Sequence, residues 1–140
     1  MLYMLDTNIC SYIMRLSPLS VVAAAKDRVR RGHELCISAV TYEELIFGAG
    51  KKGGAEGEKH LLRIYDLLDT LDHRVAAWDA RCAERSAVIR AALGENSGIG
   101  RADAMIAAHA LALNAIIVTN DKDFQRIREA GGPPWENWVR

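Results

Sequence analysis

The sequence has little of what marks several large classes of protein. Its three cysteines, Cys10, Cys36 and Cys82, are odd in number, far apart and set among apolar neighbours. They suit neither a disulfide frame nor a zinc site, and read as core residues of a chain kept in a reducing cytoplasm. No apolar run approaches the ~18 residues that cross a bilayer, so no membrane partner is expected. Met1 to Asp6 has no basic region or cleavage site and reads as a buried strand, not a signal peptide. An excess of one charge is also missing, with 18 basic residues against 18 acidic, so no diffuse positive field can hold a polynucleotide. Any such contact must come from local patches. Arg28, Arg30 and Arg31 with Lys26, or Lys51 and Lys52, could supply one, although a solvated helix end or basic loop is the plainer reading of each. Neither of the glycine-rich phosphate-binding motifs, G-x-x-x-x-G-K-S/T and G-x-G-x-x-G, is present, which leaves nucleotide binding little support.

What is present is ample core material in one domain-sized length: half of the 140 residues are hydrophobic, enough for residues 1–140 to form one compact domain. Short apolar runs alternate with helical patterns. Tyr3–Leu5 reads as a buried strand ending at Asp6, and Asn8–Met14 as a helix. Ser17-Pro18 reads as a second helix start, with serine as the cap and proline in the first turn, and Gly32 as its stop. Glu34–Ser38 is a strand, and a helix starts near Thr41. The glycines between Gly48 and Gly57 read as a mobile loop or broken helix end. Glu58–Leu71 follows as an amphipathic helix with Leu61, Leu62, Tyr65, Leu68 and Leu71 inward. A short strand near Arg74–Ala76, a helix capped by Asp79, an alanine-rich helix over Arg101–Leu113, a strand at Ala115–Val118 and a helix over Asp123–Glu129 complete the pattern. Such alternation predicts a three-layer α/β fold: a mainly parallel central sheet flanked by helices.

Certain carboxylates fall where such a sheet would gather them. Asp6 follows the first strand and Asp121 the last. Glu44 lies about a helical turn beyond the second strand, and Asp103 lies in the first turn of the alanine-rich helix. The carboxyl ends of parallel strands and the starts of the following helices share one edge, where ligands bind. Four acids there oppose one another's ionisation unless a cation is present. Hard oxygen donors suit magnesium, or manganese, and phosphodiester hydrolysis without a covalent intermediate. Each acid also has a local reading: Asp6 as a helix cap, Glu44 as the third residue of a capping box opened by Thr41, Asp103 as a favourable charge at a helix start, Asp121 and Asp123 as turn formers. Their shared edge argues for function. His33, His60, His73 and His109 show no ligand spacing and read as surface or packing residues. Trp78, Trp135 and Trp138 could stack on bases, but packing is the plainer role.

The order of these motifs resembles the PIN-domain family, and within it the VapC toxins. Met4-Leu5-Asp6-Thr7-Asn8 is similar to the family's opening strand. Ile37-Ser38, Thr41 and Glu44-Leu45-Ile46-Phe47-Gly48 are similar to the second motif. Ile99-Gly100 with Asp103 and Ile106–Ala110 is similar to the third, and Val118–Phe124 to the fourth. The resemblance implies metal-binding and catalytic roles for Asp6, Glu44 (over Glu43), Asp103 and Asp121, with Asp123 an alternative or additional ligand. Thr7, Asn8 and Thr119 would orient the carboxylates or water. It further implies a cytoplasmic, magnesium-dependent endoribonuclease that blocks translation by cutting structured RNA, a tRNA or rRNA. A homodimer neutralised by a cognate VapB-type antitoxin is implied too. Two rival readings remain. A phosphatase using an aspartyl nucleophile needs a second aspartate where Asn8 stands. A non-catalytic PIN-fold module would bind RNA or protein without cutting.

Overall fold

The computed structural model describes Met1–Arg140. In chain order its elements are β1 (Leu2–Leu5), α1 (Thr7–Arg15), α2 (Leu19–Arg30), β2 (Glu34–Ser38), α3 (Ala39–Lys52), α4 (Gly54–Thr70), β3 (Val75–Ala76), α5 (Ala80–Leu93), α6 (Arg101–Ala112), β4 (Ile116–Val118), α7 (Asp123–Glu129) and β5 (Trp135–Glu136). The strands form one sheet in the order β3-β2-β1-β4-β5, and every pairing is parallel. No helix is long and apolar enough to cross a membrane.

Side chains alternate across a strand, and that alternation divides the core. Tyr3, Leu5, Leu35, Ile37 and Val118 face α1–α4, where they meet Ile9, Ile13, Val21, Leu45, Ile64 and Leu67. Met4, Cys36 and Ile117 face the other way, onto Ile89, Ile106, Phe124 and Ile127 and the alanines of α6. The three-layer α/β expectation therefore holds. Ala104, Ala107, Ala108 and Ala110 are all buried, and these small residues let α6 approach the sheet. All three cysteines are buried and free.

Four local expectations are corrected. Ser17 does not cap α2: Pro18 occupies the cap position, without a side-chain bond, and the helix starts at Leu19. Of the two readings of residues 48–57, the loop fails and the broken helix end holds. α3 continues through Lys52, and α4 starts at Gly54 after a turn at Gly53, whose φ is +63°. A glycine is needed at 57, since a Cβ there would lie 2.6 Å from the Ala49 carbonyl oxygen; the glycine-rich stretch serves the close packing of α3 on α4. α4 is rotated from the expected face. Ile64, Leu67, Leu68 and Leu71 are buried, whereas Leu62 and Tyr65 are exposed. Finally, Thr41 is not a cap. Ser38 caps α3 by accepting the Val40 N–H, and Thr41 lies buried within the helix, so the capping-box reading of Glu44 fails. The strand β5 was not expected from the residue pattern.

Candidate metal and active site

The chain passes from β1 to β2 on one side of the sheet, while β4 pairs with the other side of β1. A crevice opens at the carboxyl ends of strands where the order reverses in this way. Asp6 and Thr119 flank it, and the two strand ends are joined where the Asp6 N–H donates to the Val118 carbonyl at 3.0 Å.

Asp6 is 4 % exposed. Its Oδ1 accepts the Ile9 N–H at 2.9 Å, capping α1, and its Oδ2 accepts the Thr119 hydroxyl at 2.5 Å. Thr119 Oγ1 in turn accepts the Asp121 N–H at 3.0 Å, and Asp121 Oδ1 accepts the Asp123 N–H at 2.9 Å. A continuous hydrogen-bonded path therefore fixes the last acids of the chain relative to the first. At the mouth, the Thr7 hydroxyl donates to Glu44 Oε1 at 2.6 Å and ties α3 to the start of α1. The cap reading of Asp6 and the turn-former reading of Asp121 are thus correct locally, and each carboxylate still has lone pairs free for another ligand.

The charges of the other acids bear on Asp6 and Asp103. Burial, and then the negative charges of Asp121 and Glu44, push the Asp6 carboxyl up to about 6, against the opposing pull of the bonds from Thr119 and Ile9. Asp103, at the start of α6, is likewise pushed up to about 6 by burial, then by Asp121, Asp6, Glu44 and Asp123 in that order. Carboxylates from the end of β1, α3, α6 and the β4–α7 connection thus bear on Asp6 and Asp103 at one edge of the sheet. α6 itself is held near β2, where Ser38 Oγ and His109 Nδ1 lie 2.7 Å apart, both buried. Because that hydroxyl accepts the Val40 N–H, its own hydrogen is free to be donated to Nδ1.

The donor set is oxygen only. No three acidic, histidine or cysteine side chains converge tightly enough to enclose an ion by themselves. An all-oxygen donor set fits magnesium, which keeps several waters and takes only one or two carboxylates directly, better than zinc, whose structural sites are closed cages of nitrogen and sulfur.

Asp6, Thr7, Glu44, Asp103, Thr119, Asp121 and Asp123 are therefore brought together. Asn8 is not: its side chain is exposed and makes no hydrogen bond to the acids. The basic patch on α2 is engaged elsewhere. Arg28, Arg30 and Arg31 all pair with Asp27, and Arg28 also with Glu136, while its guanidinium stacks on Tyr3 and Trp138. Trp138 is buried and Trp78 packs edge-on to His109, so packing is the role of both. Sequence reasoning missed Asn120, whose amide donates to the Tyr12 hydroxyl at 3.1 Å and pins the β4–α7 connection to α1; its place between two candidate residues was the available signal.

A parallel sheet in this order, carrying acids at its switch point, defines a PIN-type fold, and similarity to known proteins agrees. The PIN domain family model matches residues 3–130: the chain belongs to the PIN-domain family. Among its relatives, the tRNA(fMet)-specific endonuclease VapC of Shigella flexneri is 38% identical over 138 residues, covering 97% of each chain. Ribonuclease VapC1 of Haemophilus influenzae (strain R2866) is 33% identical over the whole of both. The crystal structure of VapBC2 from Rickettsia felis bound to a promoter DNA fragment superimposes with a TM-score of 0.84 at 33% identity, covering 99% of both chains. Within the family, this chain falls among the VapC ribonucleases of toxin–antitoxin pairs.

Proposed function

We propose that this toxin is a magnesium-dependent endoribonuclease that hydrolyses phosphodiester bonds in structured RNA, a tRNA or rRNA, and thereby blocks translation. The observation that supports it best is the coupling of Asp6 and Asp103 to Glu44 and Asp121, acids remote in sequence whose charges raise the proton affinity of Asp6 and Asp103 at one sheet edge. Asp6, Asp103 and Asp121 would hold the ion, with Glu44 at the mouth. Asp123 is the weaker candidate, because it is the last of the four acids acting on Asp103. A bound magnesium would lower the pKa of water and offset the charge that develops on phosphate oxygens.

The protein's own share of the chemistry is orientation. The Ile9 N–H and Thr119 hydroxyl fix both oxygens of Asp6 before substrate arrives, and the Thr7 hydroxyl fixes Glu44, so little reorganisation remains for the reaction. Glu44, exposed at the mouth, can accept a proton from the attacking water and lose it to solvent. A splayed single-stranded loop of RNA suits an open crevice of this kind, since unstacked bases leave the backbone accessible.

The same reading includes a VapB-type antitoxin that covers the acidic crevice, a homodimer, and action in the cytoplasm. Its test is cleavage of total tRNA and of ribosomes by purified protein, with magnesium or with excess chelator, beside Asp6→Asn. Cutting that needs both magnesium and Asp6 is expected. Cutting that persists without either would overturn the proposal, and metal binding without any cutting would favour the inert binding module.

A further inference from the structure

Away from the acids, the structure contains a small cavity with no carboxylate in its wall. It measures about 160 Å³ and is lined by Ser11, Met14, Arg15, Lys52, His60 and Arg63, drawn from α1, α3 and α4. None of Arg15, Lys52 and Arg63 is in an ion pair, although acids equal bases in the chain as a whole. The arginines of α2 and its end, by contrast, are paired with Asp27 and Glu136, whereas three unpaired cations converge on this one cavity.

The cavity is collinear with the candidate active site. Residues four apart share a helix face. On α1 the sequence Thr7, Ser11, Arg15 runs down one face, and the Ser11 hydroxyl donates to the Thr7 carbonyl at 3.2 Å. On α3 the sequence Glu44, Gly48, Lys52 does the same. The two helices touch at the acidic end through the Thr7–Glu44 bond and together wall the cavity at the other. Between these points Gly48 leaves the face bare, and His60 Nε2 lies 3.8 Å from where a Cβ would stand. Eight helical residues separate each acidic-end residue from its basic-end partner, about 12 Å along the axis. That is within reach of a few nucleotides of extended backbone.

We propose that this cavity is a subsite for a backbone phosphate of the RNA substrate, held by Lys52, Arg63, Arg15 and the Ser11 hydroxyl a few nucleotides from the bond that is cut. The proposal rests on the ribonuclease reading. It gives a neutral protein the local grip on a polyanion that its overall charge does not provide, and it sets the direction of the strand along the α1/α3 groove.

The test is binding of a ten-nucleotide single-stranded RNA, in excess chelator, at several salt concentrations, to the wild type, to Lys52→Gln/Arg63→Gln and to Arg85→Gln as a control outside the groove. Lys52 and Arg63 are exposed, so neutral replacements keep the fold, and a circular dichroism melt verifies this. The double variant is expected to bind roughly tenfold more weakly. Its log–log salt slope is expected to fall by about 0.7, for the one phosphate charge no longer neutralised. Arg85→Gln is expected to match the wild type. An unchanged slope and affinity in the double variant would overturn the proposal. So would inorganic phosphate that protects the cavity without competing with RNA. A poly-glutamate peptide that loses affinity in the double variant while RNA does not would overturn it too, and would assign the cavity to an acidic protein segment. Because this series contains no divalent ion, a failure of the wild type to cut RNA in magnesium would count against the nuclease reading alone.

Discussion

The Thr119 hydroxyl donates to Asp6 Oδ2 at 2.5 Å across 113 positions of sequence. With the Asp6 N–H to Val118 carbonyl bond, it joins the ends of β1 and β4. It also fixes the orientation of the most buried acid, because Thr119 is itself fully enclosed and bonded to the Asp121 N–H.

Thr119→Val keeps the shape of the side chain and removes the hydroxyl. It leaves Asp6 Oδ2 and the Asp121 N–H without their partner, at a cost of about 1–3 kcal/mol. The loss of an orienting bond to a metal carboxylate is expected to raise the magnesium concentration for half-maximal cleavage by roughly 10–100-fold. A magnesium titration of cleavage rate checks this, and an unchanged midpoint would show that Thr119 serves the fold only.

The raised carboxyls give stability a definite pH dependence. In the metal-free protein Asp6 and Asp103 hold their protons up to about 6, against an ordinary value of 3.8. Between these limits the folded state binds more protons than the unfolded one, so the contribution of both groups to stability falls as pH rises from 4 to 6. Melting in chelator is therefore expected to worsen over that interval. Magnesium, which binds the ionised form, should raise Tm strongly at pH 7.5 and little at pH 5. Asp6→Asn should raise the metal-free Tm at pH 7.5, on the order of 5 °C, while abolishing the gain from magnesium. A lower metal-free Tm in that variant would contradict the assignment.

Glu44 and Glu43 are adjacent, both exposed, and only Glu44 is held by Thr7. Glu44→Gln is expected to lower kcat by 100-fold or more, on the order of what a positioned acid–base group contributes, and Glu43→Gln to change it less than about twofold. Equal effects from the two, measured on the same RNA, would remove Glu44 from the site.

Much of this arrangement was legible in the sequence, because period and punctuation agree with the fold at the elements that matter. Tyr3–Leu5 ends at a charge, Glu34–Ser38 is bounded by polar turns, and Asp79 caps α5 as its position suggests. What misled was local chemistry overruled by packing. The glycines from 48 to 57 read as a loop or a broken helix end, and only the second holds; Gly57 is there because Ala49 comes too close for a side chain. Thr41 to Glu44 spells a capping box, yet Ser38 starts the helix three residues earlier. In α4 the apolar residues outnumber the inward positions, so that counting them chose a face that includes Leu62 and Tyr65, both exposed. For the site, the acids could be read one by one, but the bonds that orient them from Thr7 and Thr119 needed the resemblance, and Asn120 needed the coordinates.

Two glycines in neighbouring turns offer a paired test of the α3–α4 packing. Gly57→Ala meets backbone at 2.6 Å and is expected to destabilise by about 1–3 kcal/mol through forced separation of the helices. Gly50→Ala, also helical, meets nothing within 4 Å and is expected to stabilise by roughly 0.5–1 kcal/mol. Urea titration distinguishes the two, and a Gly57→Ala variant as stable as the wild type would show that α4 is free to shift.

The most direct measurement is an anomalous difference map from a crystal of the protein grown with manganese. The account predicts a peak in the crevice between β1 and β4, about 2.2 Å from an oxygen of Asp6, with Asp103 and Asp121 reaching it directly or through ordered water. A well-ordered crevice without a peak at saturating manganese, or a peak bound elsewhere by acids outside this group, would contradict it.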